Sequence, residues 1–428
     1  TGLYLEASAS VPNTDPGSTI EVHVETTNRS NSDITLKSIT LSPANSGISP
    51  NIKLGDNVRQ TFDIPLQVPL STPYSSPYWL TEKGSLGMYT VNEQELIGRP
   101  ETPPAFTAQF ILEFNGYEIP IDLPVNYHYA KPDKGEIYQP FEVLPKATAR
   151  LLDKVLIFAN GDSKSIPVKV KAGQENITGT VQLNVPLGWQ ASPSKIDFSI
   201  AQKGDEKTVL FIVVPPQNED EGTISPVVTV DDKQYTSELV FIDYDHVPKQ
   251  SVLQPAQANV VRLNIQKVGE SIGYIMGAGD EVPESLRQIG YNVQLIEPKN
   301  ITTGSLSKYD AVVIGIRAYN VLDELKFKQP ILMEYVKNGG NIIVQYNTAG
   351  RNDSRLDNLA PYPLTLSSDR VTDENSPVKI LDPKNSLVNF PNKITQKDFE
   401  GWVQERGLYF PNTWAKEFTP VFSMEDQD

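Results

Sequence analysis

The chain contains no cysteine among its 428 residues. That excludes disulfides, thiolate metal sites and every cysteine nucleophile. It does not fix a compartment, since exported proteins also lack the residue. Histidine is scarce: His23, His128 and His246 leave little for a zinc site. No run of about 18 apolar residues occurs, so no membrane span is expected. Positive charge is in deficit, with 37 Lys and Arg against 53 Asp and Glu and a net charge of -16. Such a surface repels phosphate backbones and disfavours nucleic acid as a partner. The scatter of the acidic residues reads as a solvated surface. The opening "TGLYLEASAS" has no initiating Met and no signal peptide. It already reads as folded β sequence, so the expectation is a fragment of a longer polypeptide or a mature form.

What is present is ordinary in proportion: 39% hydrophobic and 21% charged residues, as in soluble globular proteins. The length suggests about two to four domains. In "STIEVHVETTN", Ile20, Val22 and Val24 alternate with Glu21, His23 and Glu25, the period of a half-buried strand. "DITLKSITLSP", "RQTFDIPLQVP", "PAFTAQFILEFNG" and "YEIPIDLPVNYHY" behave alike. Residues 1–130 are therefore expected to form an immunoglobulin-like β-sandwich. His23 and His128 read as ordinary sheet histidines. "AKPDKGEIYQPFEVLP" reads as a Pro- and charge-rich linker. A second sandwich is expected over 138–246, from "SIPVKVKAGQ", "ITGTVQLNVPLGW", "KIDFSIAQKGDEKTVLFIVVPP" and "ISPVVTVDDKQYTSELVFIDY". "NEDEG", residues 218–222, fits no calcium loop and reads as a solvated turn.

Over 266–428 the pattern changes. "SIGYIMGAGDEVPESLRQIGYNVQLIEP" reads as strand, Gly-rich turn, helix and strand. "YDAVVIGIRAYN" is a nearly all-apolar strand, "LKFKQPILMEYVKNGG" a helix capped by Gly339 and Gly340, and "NIIVQYNTAG" a fourth, buried strand. Strands alternating with helices predict a doubly wound parallel sheet, with shorter strands after it.

In such a sheet ligands bind beyond the carboxyl ends of the strands. The residues expected there are Gly277, Gly279 and Asp280, then Glu297, then Arg317, Tyr319 and Asn320, then Tyr346 and Asn347. "GAGD" lacks the third glycine of a dinucleotide fingerprint and reads as a tight turn. Arg317 suits a carboxylate or phosphate ligand, and equally a structural pairing with Asp280 or Glu297. Tyr346 stands at the tip of the last turn. With an ordinary pKa near 10, about one tyrosine in a thousand is ionised at pH 7. No histidine follows His246 to serve as its base. A hydrogen-bonding or packing role for Tyr346 is therefore expected.

"YDAVVIGIRAYN" followed by "GGNIIVQYNTAG" resembles the core of the flavodoxin-like, class I glutamine-amidotransferase-like fold, and especially its trehalose-utilisation-type branch. In amidotransferases the second strand leads to a nucleophilic cysteine; Tyr346 falls near that position. The catalytic His and Glu have no counterpart. "LDPKNSLVNFPNKIT" resembles the stretch carrying a His-Pro pair in that branch, and Asn385 and Ser386 stand there. "ITGTVQLNVPLGWQASP" with "KGDEKTVLFIVVPP" resembles the β-sandwich family associated with α-galactosidases and carbohydrate-binding modules. There Trp189 is read as a sugar platform or, more commonly, a buried sandwich tryptophan. The order "PYWL", "LIGRPETPPAF", "KGEIYQPFEVLP", "GIRAYN", "VQYNTAG", "FEGWVQERGLYF" resembles the region after the catalytic domain in large Bacteroidetes-type proteins of the PIG-L/LmbE deacetylase family.

That family uses a His-Pro-Asp-Asp zinc motif to deacetylate N-acetylglucosamine derivatives, and "DYDHVP" at 243–248 is not that motif. The resemblance implies that zinc and chemistry belong to an N-terminal catalytic domain, and that this region binds or positions a glycoconjugate in a periplasmic or extracellular setting. The rival expectation is that the α/β domain is itself a hydrolase or sugar-modifying enzyme using a carboxylate (Asp280, Glu297 or Glu405), Tyr346 or a metal at the strand ends. A structural spacer is the third.

Overall fold

The computed structural model describes residues 2–85, 87–349, 359–373, 375–401 and 407–426. It is built mostly of β-strands. The first sandwich pairs two sheets. One contains β1 (Leu3–Ala9), β2 (Thr19–Asn28), β4 (Arg59–Gln67), β7 (Asn126–Lys131) and β8 (Gly135–Pro140); the other is built on β3 (Ile34–Ser42), β5 (Thr107–Phe114) and β6 (Tyr117–Pro124). The period of two that starts in β2 sends Val22 and Val24 inward, where they meet Ile64 and Leu66 of the same sheet and Leu36, Ile39, Phe110 and Leu112 of the other. This interleaving of two inner faces is the core of a sandwich.

The stretch expected to be a linker is mostly a strand. β8 pairs antiparallel with β7, Ala130 facing Glu136, and Gly135 makes the turn at φ 74°. The Pro and charge that suggested a linker mark a sheet edge: the strand order β8-β7-β1-β2-β4 leaves β8 outermost. Charged residues and proline blunt such edges against further pairing.

The second β region holds β9 (Ala147–Leu151), β10 (Lys164–Ala172), β12 (Gln190–Ser192) and β14 (Glu206–Val214) in one sheet, in the order β9-β10-β14-β12. Its other sheet contains β11 (Ile177–Asn184), β13 (Ile196–Ile200) and β15 (Asp220–Val230). Val168, Val170, Phe211 and Val213 are buried from the first sheet, Val181, Phe198 and Val228 from the second. β16 (Ser237–Ile242) and β17 (Gln250–Pro255) form an antiparallel hairpin, so strand structure continues past residue 246. β15 begins within "NEDEG", at Asp220.

By internal contact the chain divides into two compact units. The first contains residues 1–155, 163–214 and 222–259, hence both β regions; the second contains 156–162, 215–221 and 260–428. The second unit has a four-stranded parallel sheet of β18 (Ser271–Ile275), β19 (Asn292–Leu295), β20 (Ala311–Ile314) and β21 (Asn341–Val344), in the order β19-β18-β20-β21. β20 is apolar throughout because it is covered twice. Val312 and Ile314 pack toward Leu332 and Tyr335 of α3 (Leu325–Lys337) on one face. Val313 joins Ile272, Tyr274 and Leu286 of α1 (Val282–Gln288) on the other. Helix α3 ends where the two glycines stand: Gly339 takes φ 95°, and a Cβ on Gly340 would sit 2.3 Å from the Tyr335 ring.

β21 departs from expectation. Among the described residues it is an edge strand pairing only with β20, and Ile343 is 55% exposed. Its apolar letters resemble those of a central strand, but a partner on its outer side is what buries one. Among the described residues three two-stranded pairs follow, beginning with Leu364–Leu366 against Pro411–Trp414. Among the described residues, no helix is long and apolar enough to cross a membrane.

Candidate functional site

The turns after β18, β20 and β21 meet at the carboxyl end of the parallel sheet. Gly277 is required by close approach: a Cβ there would lie 2.0 Å from the Ile316 carbonyl oxygen, which also accepts the Ala278 N–H at 2.8 Å. Gly279 takes φ 103°. Both glycines thus serve the joining of two turns.

Asp280 accepts the Tyr274 hydroxyl at 2.7 and 2.8 Å and the Val282 N–H at 3.0 Å. Gln345 Nε2 donates to the same hydroxyl at 2.5 Å. Burial, then the Asp280 hydrogen bond and charge, push the Tyr274 pKa well above its ordinary value. The phenol stays neutral and donates to the carboxylate.

Arg317 sits in the left-handed region at φ 55°, as N-cap of the short helix α2 (Ala318–Val321). Its N–H donates to the Tyr346 carbonyl at 2.7 Å, but its side chain is exposed. Neither expected pairing forms. Asp280 is held by Tyr274, and Glu297 pairs with Lys299 at 2.7 Å.

Tyr319, Asn320 and Asn347 turn inward, at 2%, 9% and 5% exposure. The Tyr319 hydroxyl donates to Gln329 Oε1 at 2.6 Å, and burial pushes its pKa up to about 12. Asn320 Nδ2 donates to the Thr348 carbonyl at 3.0 Å while its Oδ1 accepts the Thr348 N–H at 2.9 Å. Asn347 Oδ1 accepts the Tyr319 N–H at 3.2 Å, and its Nδ2 donates to the Gln345 carbonyl at 2.8 Å. These amides lock the β20 and β21 turns together. Tyr346 faces outward at 37% exposure, its ring centroid 5.9 Å from that of Tyr409.

Eight of the nine residues expected at the strand ends divide into roles. Gly277, Gly279, Asp280, Tyr319, Asn320 and Asn347 build the site, and Arg317 and Tyr346 present to solvent; the ninth, Glu297, is spent on Lys299. Sequence reasoning missed Tyr274, Gln345 and Gln329. A tyrosine within the apolar "SIGYIM" was the available signal, because a buried hydroxyl needs a partner. Glu405, and residues 402–406 of "FEGWVQERGLYF", lie outside the described residues.

Elsewhere, Asn385 caps the helix Ser386–Asn389, its Oδ1 accepting the Leu387 N–H at 3.0 Å. Trp189 is 5% exposed and packs as a sandwich tryptophan, which removes the sugar-platform reading. His23 Nδ1 lies 2.5 Å from Asp63, and His128 Nδ1 3.0 Å from Glu6. Among the described residues no group of three or more His, Asp or Glu could hold a metal ion.

No protein-family model matches the chain, and no curated protein matches it. Among solved structures it is similar to a protein of unknown function from Porphyromonas gingivalis W83, at 11% identity over 61% of this chain and 100% of the other, with a TM-score of 0.18. It is also similar to Escherichia coli alpha-2-macroglobulin, at 12% identity over 61% of this chain and 16% of the other, with a TM-score of 0.20. A third is the C-terminal domain of the Streptococcus pyogenes antigen I/II-family protein AspA, at 5% identity over 61% and 100%, with a TM-score of 0.25. At these scores the likenesses carry no argument about fold or activity.

Proposed function

We propose that the chain is an accessory, non-catalytic region that binds or positions glycan for a zinc-dependent, N-acetylglucosamine-type deacetylase of the PIG-L/LmbE kind. On this reading the β regions are immunoglobulin-like modules, the second resembling the α-galactosidase-associated family. The parallel sheet is the heart of a flavodoxin-like, amidotransferase-like domain. The strand order β19-β18-β20-β21 and the apolar packing on both faces support that fold reading. Zinc belongs to the catalytic domain of the same polypeptide, and the setting is periplasmic or extracellular.

One observation carries the reading. The polar groups at the strand ends are spent on one another: Asp280 on Tyr274, Asn320 on Thr348, Asn347 on Tyr319. A carboxylate fixed by a neutral phenol and a backbone N–H is poorly placed to shuttle protons. What reaches solvent is a guanidinium and the Tyr346–Tyr409 ring pair. That combination suits recognition of hydroxyl- or carboxylate-bearing sugars. Saturation-transfer NMR with N-acetylglucosamine oligosaccharides should show binding that Arg317→Ala weakens. Acetate release by this chain alone, or binding indifferent to both Arg317→Ala and Tyr346→Phe, counts against it.

A further inference from the structure

A second site lies in the first unit and does not depend on the strand-end reading. The described residues of the long connection between β4 and β5, 68–85 and 87–106, are tied down over the junction of the two β regions. The Ser75 N–H donates to the Val143 carbonyl at 2.7 Å, and the Val143 N–H returns a bond to Ser75 Oγ at 2.9 Å. The Tyr78 hydroxyl reaches the Arg99 carbonyl at 2.9 Å. Ordered connections of this length commonly serve a site. Beneath it lies a cleft of about 470 Å³, walled by Trp79, Tyr138, Phe141 and six prolines, within the size range of small-ligand sites. Every lining residue belongs to the first unit.

Two polar side chains in this apolar wall lack full partners. Gln139 is only 9% exposed, and its amide makes no hydrogen bond with a described residue. Glu142 is held by Ser251, whose buried hydroxyl donates to Oε2 at 2.6 Å; among the described residues it makes no ion pair, though the charge of Lys249, another lining residue, acts on it. The nearby Lys249 has its ammonium over the Phe241 ring, 5.2 Å from the centroid. Burial raises the Glu142 pKa, against the opposing effects of Ser251 and Lys249. A second carboxylate, Glu101, stands exposed at the rim.

A half-buried carboxylate that accepts one side-chain hydrogen bond and makes no ion pair among the described residues leaves lone pairs for further donors. The hydroxyls of the cleft each hold one bond already, Thr102 Oγ1 accepting from the Tyr78 N–H. Ser75 Oγ accepts from Val143, Ser76 Oγ accepts from Leu253, and Tyr138 donates to Glu136. An aliphatic stem ending in a cation needs little more than apolar and aromatic surface and an anionic floor. We infer that the cleft binds an ammonium or guanidinium group on an aliphatic stem, its charge on Glu142 and the Gln139 carbonyl and its stem against Trp79 and the prolines.

The test is isothermal titration of the whole chain with n-pentylammonium and agmatine, against 1-pentanol and N-acetylglucosamine as neutral probes. The amines should bind saturably and the neutral probes should neither bind comparably nor displace them. Glu142→Gln, close in shape and still able to accept from Ser251, should weaken the amines about tenfold or more. Wild-type affinity should fall as acid protonates Glu142, an arm that needs no variant. An acetylated Gly-Lys-Gly amide distinguishes the sources. Binding tighter than pentylammonium assigns the cleft to a basic polypeptide segment, weaker binding to free amines, and both keep the cation chemistry. Equal binding of pentanol, displacement by N-acetylglucosamine, unchanged affinity in Glu142→Gln, or no saturable binding of either amine overturns the inference.

Discussion

Asp280 and Glu142 are both carboxylates in partly buried places, yet removing their charge should have opposite effects. Asp280 satisfies the Tyr274 hydroxyl and the Val282 N–H. Asp280→Ala would strand both, and Tyr274 is fully buried. The expected loss is about 1–3 kcal/mol in urea unfolding, the cost of an unsatisfied buried group. Tyr274→Phe should lose less, because Asp280 keeps its backbone donor. Glu142 instead carries a raised pKa, chiefly from desolvation. The folded state binds its proton more tightly than the unfolded state. Its charge therefore penalises folding above the folded pKa, and the penalty fades as pH falls below the unfolded value. Glu142→Gln should be at least as stable as wild type at pH 7, with the difference shrinking toward pH 4. A variant clearly less stable at pH 7 would mean that the charge is compensated in a way the Ser251 bond does not reveal.

At the scale of elements, alternation made the strands legible, since Val22 and Val24 point inward where the period of two places them. Composition misled where topology decides. The Pro-rich stretch before residue 140 is the edge strand β8, and among the described residues the apolar β21 is an edge strand with Ile343 exposed. Neighbours across a sheet are set by distant sequence, which local pattern does not carry. At the strand ends, whether Asn320 or Arg317 turns inward depends on Thr348 and Tyr346, supplied by another turn. The sheet's opposite end has its own anchor. The Asp310 carboxylate accepts the Glu270 and Ser271 N–H groups at 2.8 and 2.9 Å, where β18 begins. Those bonds hold its pKa below the ordinary 3.8. Its contribution is present above that value and is lost as pH falls through the lower folded pKa. Asp310→Asn should therefore narrow the stability gap between neutral and acidic solution, measured by denaturant midpoints across pH. An unchanged gap would assign the acid response to other carboxylates.

For the whole molecule, the second unit is assembled from three separated stretches of chain. Residues 156–162 supply Phe158, 1% exposed. They also supply carbonyls that accept the Leu263 N–H at 2.9 Å, from Phe158, and the Ile265 N–H at 3.1 Å, from Ala159. The Ile157 N–H donates to Oε1 of Gln288, the last residue of α1, at 2.6 Å. Residues 215–221 supply Glu219, whose carboxylate accepts the Asn264 N–H at 3.0 Å. A polypeptide of residues 260–428 expressed alone carries the whole parallel sheet but neither of these segments. Its Leu263, Asn264 and Ile265 N–H groups would lose these acceptors. Phe158→Ala in the full chain should cost about 3–5 kcal/mol, as for other buried phenylalanines. The isolated 260–428 polypeptide should accordingly show poor amide dispersion by NMR and a broad thermal transition. Adding residues 156–162 as a peptide should sharpen both. A well-dispersed spectrum with cooperative unfolding from 260–428 alone would show that the parallel sheet holds itself together and that the two inserted segments decorate it.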